Sequence, residues 1–200
     1  MGCVRTKEAV VEEFRKQSIC DAAMHVVARK GIQNVTVQDI ADEAGVAKGT
    51  IYIYFKSRDE ILSEAMDRST ENLLQKFAAA CRSCSTFRDV LEQRVRTQFQ
   101  HFEENREFFR MYLAMSEPLG ERRLRQHPTY QGYLAQLEEV LRAAIARGEI
   151  RGTRVDRLAV SISSVVRDIV LHRIIEREPP PLEDDVTYAV DFIMRGIAVA

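Results

Sequence analysis

The sequence predicts an all-α protein, and three observations carry that expectation. Apolar residues recur at i, i+3 and i+4 through nearly every segment, no stretch alternates convincingly between apolar and polar as a half-buried strand would, and Gly or Pro marks most segment ends. With 200 residues, 46% hydrophobic and 30% charged, the chain has the composition of an ordinary globular protein with a sizeable core. No internal repeat or low-complexity tract interrupts it.

The first helix is expected from about Thr6 to Lys30, with Phe14, Ile19, Ala22, Ala23, Val26 and Val27 as its buried stripe and Gly31 as its stop. Asp21 and His25, one turn apart, suit a surface pair. A short helix should begin at Thr36, where Thr36 and Asp39 have the spacing of a capping box and Val37, Ile40, Ala41 and Ala44 have helical spacing. Gly45 breaks it, because glycine accepts the positive φ of a helix C-terminus, and Val46 can tuck into the angle that follows. The next helix starts at about Lys48. Ile51 and Phe55 face inward, while Gly49, Thr50, Ile53 and Tyr54 lie opposite, flanked by Lys48 and Tyr52. No acidic residue occurs between Ala44 and Arg58. A helix presented to water carries more charge of both signs; one presented to phosphates and base edges looks like this.

The segment AGVAKGTIYIYFKSRDEIL resembles the DNA-binding signature of the TetR family of bacterial regulators, over a span from about Arg15 to Leu62. Beyond it the chain is similar to that family only in length and helical pattern. The resemblance implies a homodimeric repressor that binds a near-palindromic operator through residues 1–57 and releases it when a small effector occupies the 58–200 domain. It also implies that Thr36, Lys48, Thr50, Tyr54 and Lys56 touch phosphate, and that Gln38, Gly49, Tyr52 and Ile53 approach bases. Ala47 departs from the pattern, standing where the family often has Ser or Thr, so the second helix should lack a side-chain N-cap worth about 1 kcal/mol.

Ser57 and Glu60 open the next helix as an S-x-x-E cap, and it continues through Ile61, Leu62, Ala65, Met66, Leu73 and Phe77. Thr86 and Asp89 open another, through Val90, Leu91, Val95, Phe99 and Phe102. The nearly all-apolar REFFRMYLAM must be buried, and Pro118 ends it. Residues 119–127, with three arginines, read as a mobile connection. Pro128 suits a first turn, and Tyr130, Tyr133, Leu134, Leu137, Val140, Leu141, Ala144 and Ile145 continue that helix to Gly148. Two long helices close the chain, from Val155 to about Glu178 and after the prolines at 179–181.

Phe77, Phe99, Phe102, Tyr112, Met115, Leu137 and Val166 are what any helical core would use; the resemblance makes them the lining of a site for a small, apolar or amphipathic effector. Arg94, Gln98 and His101 are either a polar end to that site or plain surface groups. The apolar surplus on the last two helices, Ile162, Ile169, Val190, Ile193, Met194 and Ile197, is expected to form a four-helix dimer seam. Within it Asp168 and His172 are spaced to pair.

Net charge is −1 overall, and the first sixty residues hold nine basic against nine acidic groups, so DNA binding rests on a local patch. No apolar run approaches the ~18 residues of a membrane span and no signal-like segment opens the chain, so a cytoplasmic protein is expected. Cys81 and Cys84 form a single CxxC without the second ligand pair of a zinc site; neither metal nor cofactor is expected. Other readings are a regulator without a small-molecule effector, a tri-helical protein-interaction module, or an all-α binder or enzyme for apolar molecules with an appended DNA-binding lobe. Asp168 and His172 have no adjacent nucleophile, so enzymatic chemistry is not expected.

Overall fold

The computed structural model describes residues 6–115, 128–152 and 154–199, the side chains of 111–115 and 129 lying outside the described set. Among the described residues every regular element is helical, apart from an isolated bridge between Ile150 and Ala198. In chain order the helices are α1 (Lys7–Lys30), α2 (Val37–Glu43), α3 (Lys48–Tyr54), α4 (Arg58–Ala80), α5 (Phe87–Glu104), α6 (Arg106–Met115), α7 (Pro128–Ala146), α8 (Val155–Ile175) and α9 (Leu182–Ile197). The all-α expectation holds. Two compact units are present, Met1–Ser69 with Glu107–Met115, and Thr70–Arg106 with Ser116–Ala200. Helix α4 begins beside the expected division at 57/58, and its residues up to Ser69 belong to the first unit.

In the first unit α1 is capped by Thr6, whose hydroxyl oxygen accepts from the Ala9 N–H at 3.3 Å, and stops at Gly31 with φ 75°. Burial on α1 starts at Ile19 and continues through Ala22, Ala23, Val26 and Val27. Phe14 was expected in this stripe and is instead 70% exposed, with Val10 and Val11 also exposed. Helix α1 packs on α2 and on the turn at Ile32–Asn34, and among the described residues no element buries Phe14. Asp21 and His25 do not pair either: Gln17 Nε2 donates to Asp21 at 2.8 Å, and His25 Nδ1 lies 3.7 Å from Glu43. The capping box of α2 is complete, with Asp39 N–H donating to Thr36 Oγ1 at 3.2 Å and Thr36 N–H donating to Asp39 Oδ2 at 3.0 Å.

Gly45 follows with φ 66°, and the Val46 N–H donates to the Ala41 carbonyl at 3.0 Å. Ile40, Ala41 and Ile51 are fully buried and Phe55 is 4% exposed, so α3 is held by one face only. At the start of α4 the Glu60 N–H donates to Ser57 Oγ at 3.1 Å, and the Glu60 carboxylate accepts from the Lys56 N–H, one residue before the position that a standard capping box uses. Arg68 ties α4 to α1 by donating to Glu13 at 2.6 Å.

In the second unit α5 packs against α7, α8 and α9, with α8 also against α7 and α9. Thr86 and Asp89 form the expected capping box of α5. Helix α7 starts at Pro128 as expected and ends at Ala146, in a turn that Gly148 closes with φ 74°. Helix α8 ends at Ile175, earlier than expected from the prolines alone. Cys81 to Ser83 form a 3-10 turn, and both Cys81 and Cys84 are free, half-buried thiols. Asp168 and His172 turn to other partners: Arg167 lies 3.4 Å from Asp168, and His172 Nε2 lies 2.9 Å from Glu176. Residues 119–127 lie outside the described set.

Two outcomes follow from this packing. At Gly45 an added Cβ would meet nothing within 4 Å, so the cost of replacement is conformational and not steric. Urea denaturation should show Gly45→Ala destabilised by about 1–2 kcal/mol, Gly45→Asn less, and the β-branched Gly45→Val more. His101 is 3% exposed, and burial, aided by the Lys76 charge, pushes its pKa down from 6.5 to about 4. The unfolded chain therefore takes up a proton that the folded chain refuses. Stability from this group is full above its ordinary value and is lost as pH falls from about 6.5 towards about 4. Thermal melts across that interval should flatten in His101→Gln; an unchanged slope would assign the acid sensitivity elsewhere.

Candidate nucleic-acid interface and effector site

The recognition helix α3 has seven residues and no side-chain cap at Ala47, as expected; the Thr50 N–H donates only to the Ala47 carbonyl, at 2.8 Å. Such a helix cannot persist by propensity. Its orientation comes from Gly45, Val46 and the burial of Ile51 and Phe55. Opposite those residues, Gly49, Tyr52 and Ile53 share a face at i, i+3 and i+4, and Tyr52 and Ile53 are 52% and 75% exposed. Lys48 and Lys56 are exposed at its two ends, whereas Thr50 and Tyr54 are half-buried. Gln38, on α2, is exposed with its amide donating to Asp42 at 2.7 Å. Thr36 is exposed, but its hydroxyl is engaged with Asp39, so a phosphate contact there competes with the cap of α2.

The first unit thus brings together nine expected DNA-contacting residues across α2, α3 and the turn after it. It also brings something the sequence reading missed. Lys7, Glu8, Val11 and Glu12 of α1 border, with Ile53 and Tyr54, an open depression of about 500 Å³. Two carboxylates therefore stand beside the end of the recognition helix.

In the second unit Phe77, Phe99, Leu137 and Val166 are buried at 1–2% exposure, and Phe102 is half-buried, edge-on to His101. The side chains of Tyr112 and Met115 lie outside the described set. Arg94, Gln98 and His101, weighed as surface groups in the sequence reading, are all buried, at 7%, 8% and 3%. The signal that places them was in the sequence: with Leu91 and Val95 they keep the i, i+3, i+4, i+7 spacing of an inward face. Arg94 lies over the Phe77 ring, 4.2 Å from its centroid, and 5.6 Å from that of Tyr133. The Tyr133 hydroxyl donates to Gln98 Oε1 at 3.3 Å, and the Tyr130 and Ser163 hydroxyls are 3.3 Å apart. Burial raises the Tyr133 pKa, so its phenol stays protonated.

Of the residues expected at the dimer seam, Ile162, Val190 and Ile193 are buried within the chain at 4%, 1% and 5%, while Ile169, Met194 and Ile197 are half-buried. The open apolar groove on the same two helices is lined by Ile162, Ile193 and Ile197 together with residues the sequence reading did not single out for the seam. Tyr188 and Phe192 are 60% and 56% exposed with their rings stacked at 6.2 Å, and they border a groove of about 650 Å³ with Leu158, Val165 and Ile197. Tyr188 and Phe192 were missed because their aromatic rings suit a core as well as a surface.

No described helix is long and apolar enough to cross a membrane. Residues 19–65 match the sequence profile of the bacterial regulatory proteins of the tetR family. The fatty acid metabolism regulator protein of Bacillus subtilis is 29% identical over 134 residues, 66% of this chain and 69% of that protein. A crystal structure of the transcriptional regulator FadR from Bacillus subtilis in complex with stearoyl-CoA superposes with TM-score 0.77 at 24% identity, covering 90% of this chain and 98% of that one. A transcriptional regulator from Saccharomonospora viridis in complex with choline superposes with TM-score 0.75 at 21% identity, covering 94% of this chain and 100% of that one. Match and helix order agree: residues 19–65 carry the DNA-binding region of the tetR-family regulatory proteins, and the chain shares its all-α fold with solved transcriptional regulators.

Proposed function

We propose that this protein is a homodimeric repressor that holds a near-palindromic operator through α3 and releases it when a small, largely apolar effector enters the second unit. The observation that carries the reading is the face of α3, where Gly49, Tyr52 and Ile53 lie open between Lys48 and Lys56 with no acid on the helix. Lysines at either end suit phosphates, and an apolar, aromatic centre suits base edges and thymine methyls. Relatives of this fold are named with ligands as different as stearoyl-CoA and choline, so the effector class has to come from this chain's own interior. Phe77, Phe99, Leu137 and Val166 favour an apolar body.

Dimerisation is assigned to α8 and α9, through the exposed Tyr188 and Phe192 and the groove beside them. An apolar face of this kind is what a second copy would cover, and a two-fold axis there would set two recognition helices at a fixed spacing for two half-sites. Effector binding then acts as a population shift towards a dimer with the wrong spacing.

Selection from random duplex DNA should return two related half-sites; a single unpaired motif would defeat the operator reading. Gly49 separates fold from recognition. A Cβ there meets nothing within 4 Å, so Gly49→Ala should keep or raise stability, by up to about 1 kcal/mol on helix propensity, while weakening operator binding if bases approach that backbone. Lys56→Ala should weaken all duplexes alike and reduce the log–log salt slope by ~0.9, whereas Ile53→Ala should change sequence preference. Phe192→Glu places a charge on the exposed seam and should yield folded monomers with poor operator affinity in sedimentation and binding measurements; a normal dimer would move the seam elsewhere.

A further inference from the structure

The second unit buries two arginines, and it treats them differently. Arg173, 5% exposed, has carboxylate partners for its charge: it donates to Asp185 and to the Pro180 carbonyl at 2.9 Å, with Glu103 at 3.7 Å, and only its Nε lacks a hydrogen-bond partner. Arg94, 7% exposed, forms no ion pair with any described carboxylate, and its Nη2 has no hydrogen-bond partner. A guanidinium cannot shed its proton at any working pH, so this charge persists inside the unit. The Phe77 ring beneath it supplies cation–π attraction but accepts no directed hydrogen bond. Fixed, desolvated and partly unpaired, such a group is unfavourable in the free protein and available to an anion.

We propose that Arg94 receives the carboxylate of the effector, so that the molecule recognised is an apolar monocarboxylate; this rests on the effector reading above and narrows it. The balance of charge argues for a single negative charge. Around Arg94 the polar groups are neutral, the amide of Gln98 and the hydroxyls of Tyr133 and Tyr130, and the other buried arginine is already engaged with acids. A phosphate monoester would bring a second charge with no second free cation among the described buried residues. A ligand oxygen reaching Nη2 displaces no existing bond, while the rings of Phe77 and Tyr133, 6.0 Å apart, stand beside it for an apolar chain or ring.

The test compares palmitate, hexadecanol and palmitoyl-CoA, with octanoate and octanol as shorter probes, by calorimetric binding and by release of labelled operator from the full-length protein. Wild type should bind the carboxylates more tightly than the matched alcohols, on the order of tenfold or more, as expected for a charge-assisted hydrogen bond. Arg94→Met should abolish that preference without lowering the Tm of the ligand-free protein, since it removes a charge that the fold does not pair. Arg94→Lys, which keeps the charge without the fork, should retain part of it. Equal binding of acid and alcohol by wild type, a preference for palmitoyl-CoA over palmitate, or a carboxylate preference that survives in Arg94→Met overturns the proposal while leaving an effector-responsive repressor intact. If no probe binds and none alters operator affinity, the effector reading itself falls, and this one with it.

Discussion

The angle between α2 and α3 is the constraint on which DNA recognition depends. A seven-residue helix without a capping side chain has too few hydrogen bonds to offset its nucleation cost, so α3 exists because Ile51 and Phe55 are buried and because Gly45 turns the chain onto that surface. The Val46 N–H donating back to Ala41 satisfies a carbonyl at the end of α2 and leaves the turn little freedom. With one face committed to packing, the other three-residue face of Gly49, Tyr52 and Ile53 has its direction fixed by the same bonds. Stability of the lobe and specificity of the surface are therefore coupled through a few residues.

Around that angle the first unit is braced by polar contacts at helix ends. Lys30 donates to Asp39 at 2.6 Å, and the same carboxylate caps Thr36, which is why the Asp39 pKa is held down to about 2, through Lys30 first and then Thr36. Arg58 reaches the carbonyls of Ile32 and Val35 at 3.4 Å, fixing the entry to α4 against the loop before α2. Exposed pairs of this kind each contribute little to stability, but here they join chain segments whose relative position decides where α3 points. A single residue with two duties, such as Thr36, shows the economy: its hydroxyl serves the cap, and any service to a phosphate has to compete with it.

The second unit follows a different physical rule. Its helices α5, α7, α8 and α9 bury a continuous apolar core, and the groups that depart from apolar are concentrated on one helix, α5, as Arg94, Gln98 and His101. A fold selected for stability alone would fill those positions with leucine, since replacing buried polar groups by well-packed apolar ones is commonly neutral or favourable. The lowered pKa of His101 and the Arg94 Nη2 without a hydrogen-bond partner both follow from burying polar groups on that helix.

The helices, their caps at Thr36, Thr86 and Pro128, the breaks at Gly31, Gly45 and Gly148, and the outward face of α3 were legible in the sequence, because they depend on neighbours within one or two turns. What a helix face meets across space was not. Phe14 keeps helical spacing with the core yet lies exposed, since no described element buries it. Ile162, Val190 and Ile193 are buried in the chain's own core, and the groove that Ile162 and Ile193 also line on α8 and α9 is completed by the exposed Tyr188 and Phe192, whose outward placement periodicity cannot fix when a helix is apolar on more than one side. The same holds for charge: Arg94 and Arg173 are equal as letters, and only the tertiary packing places Asp185 beside one and an aromatic ring beneath the other.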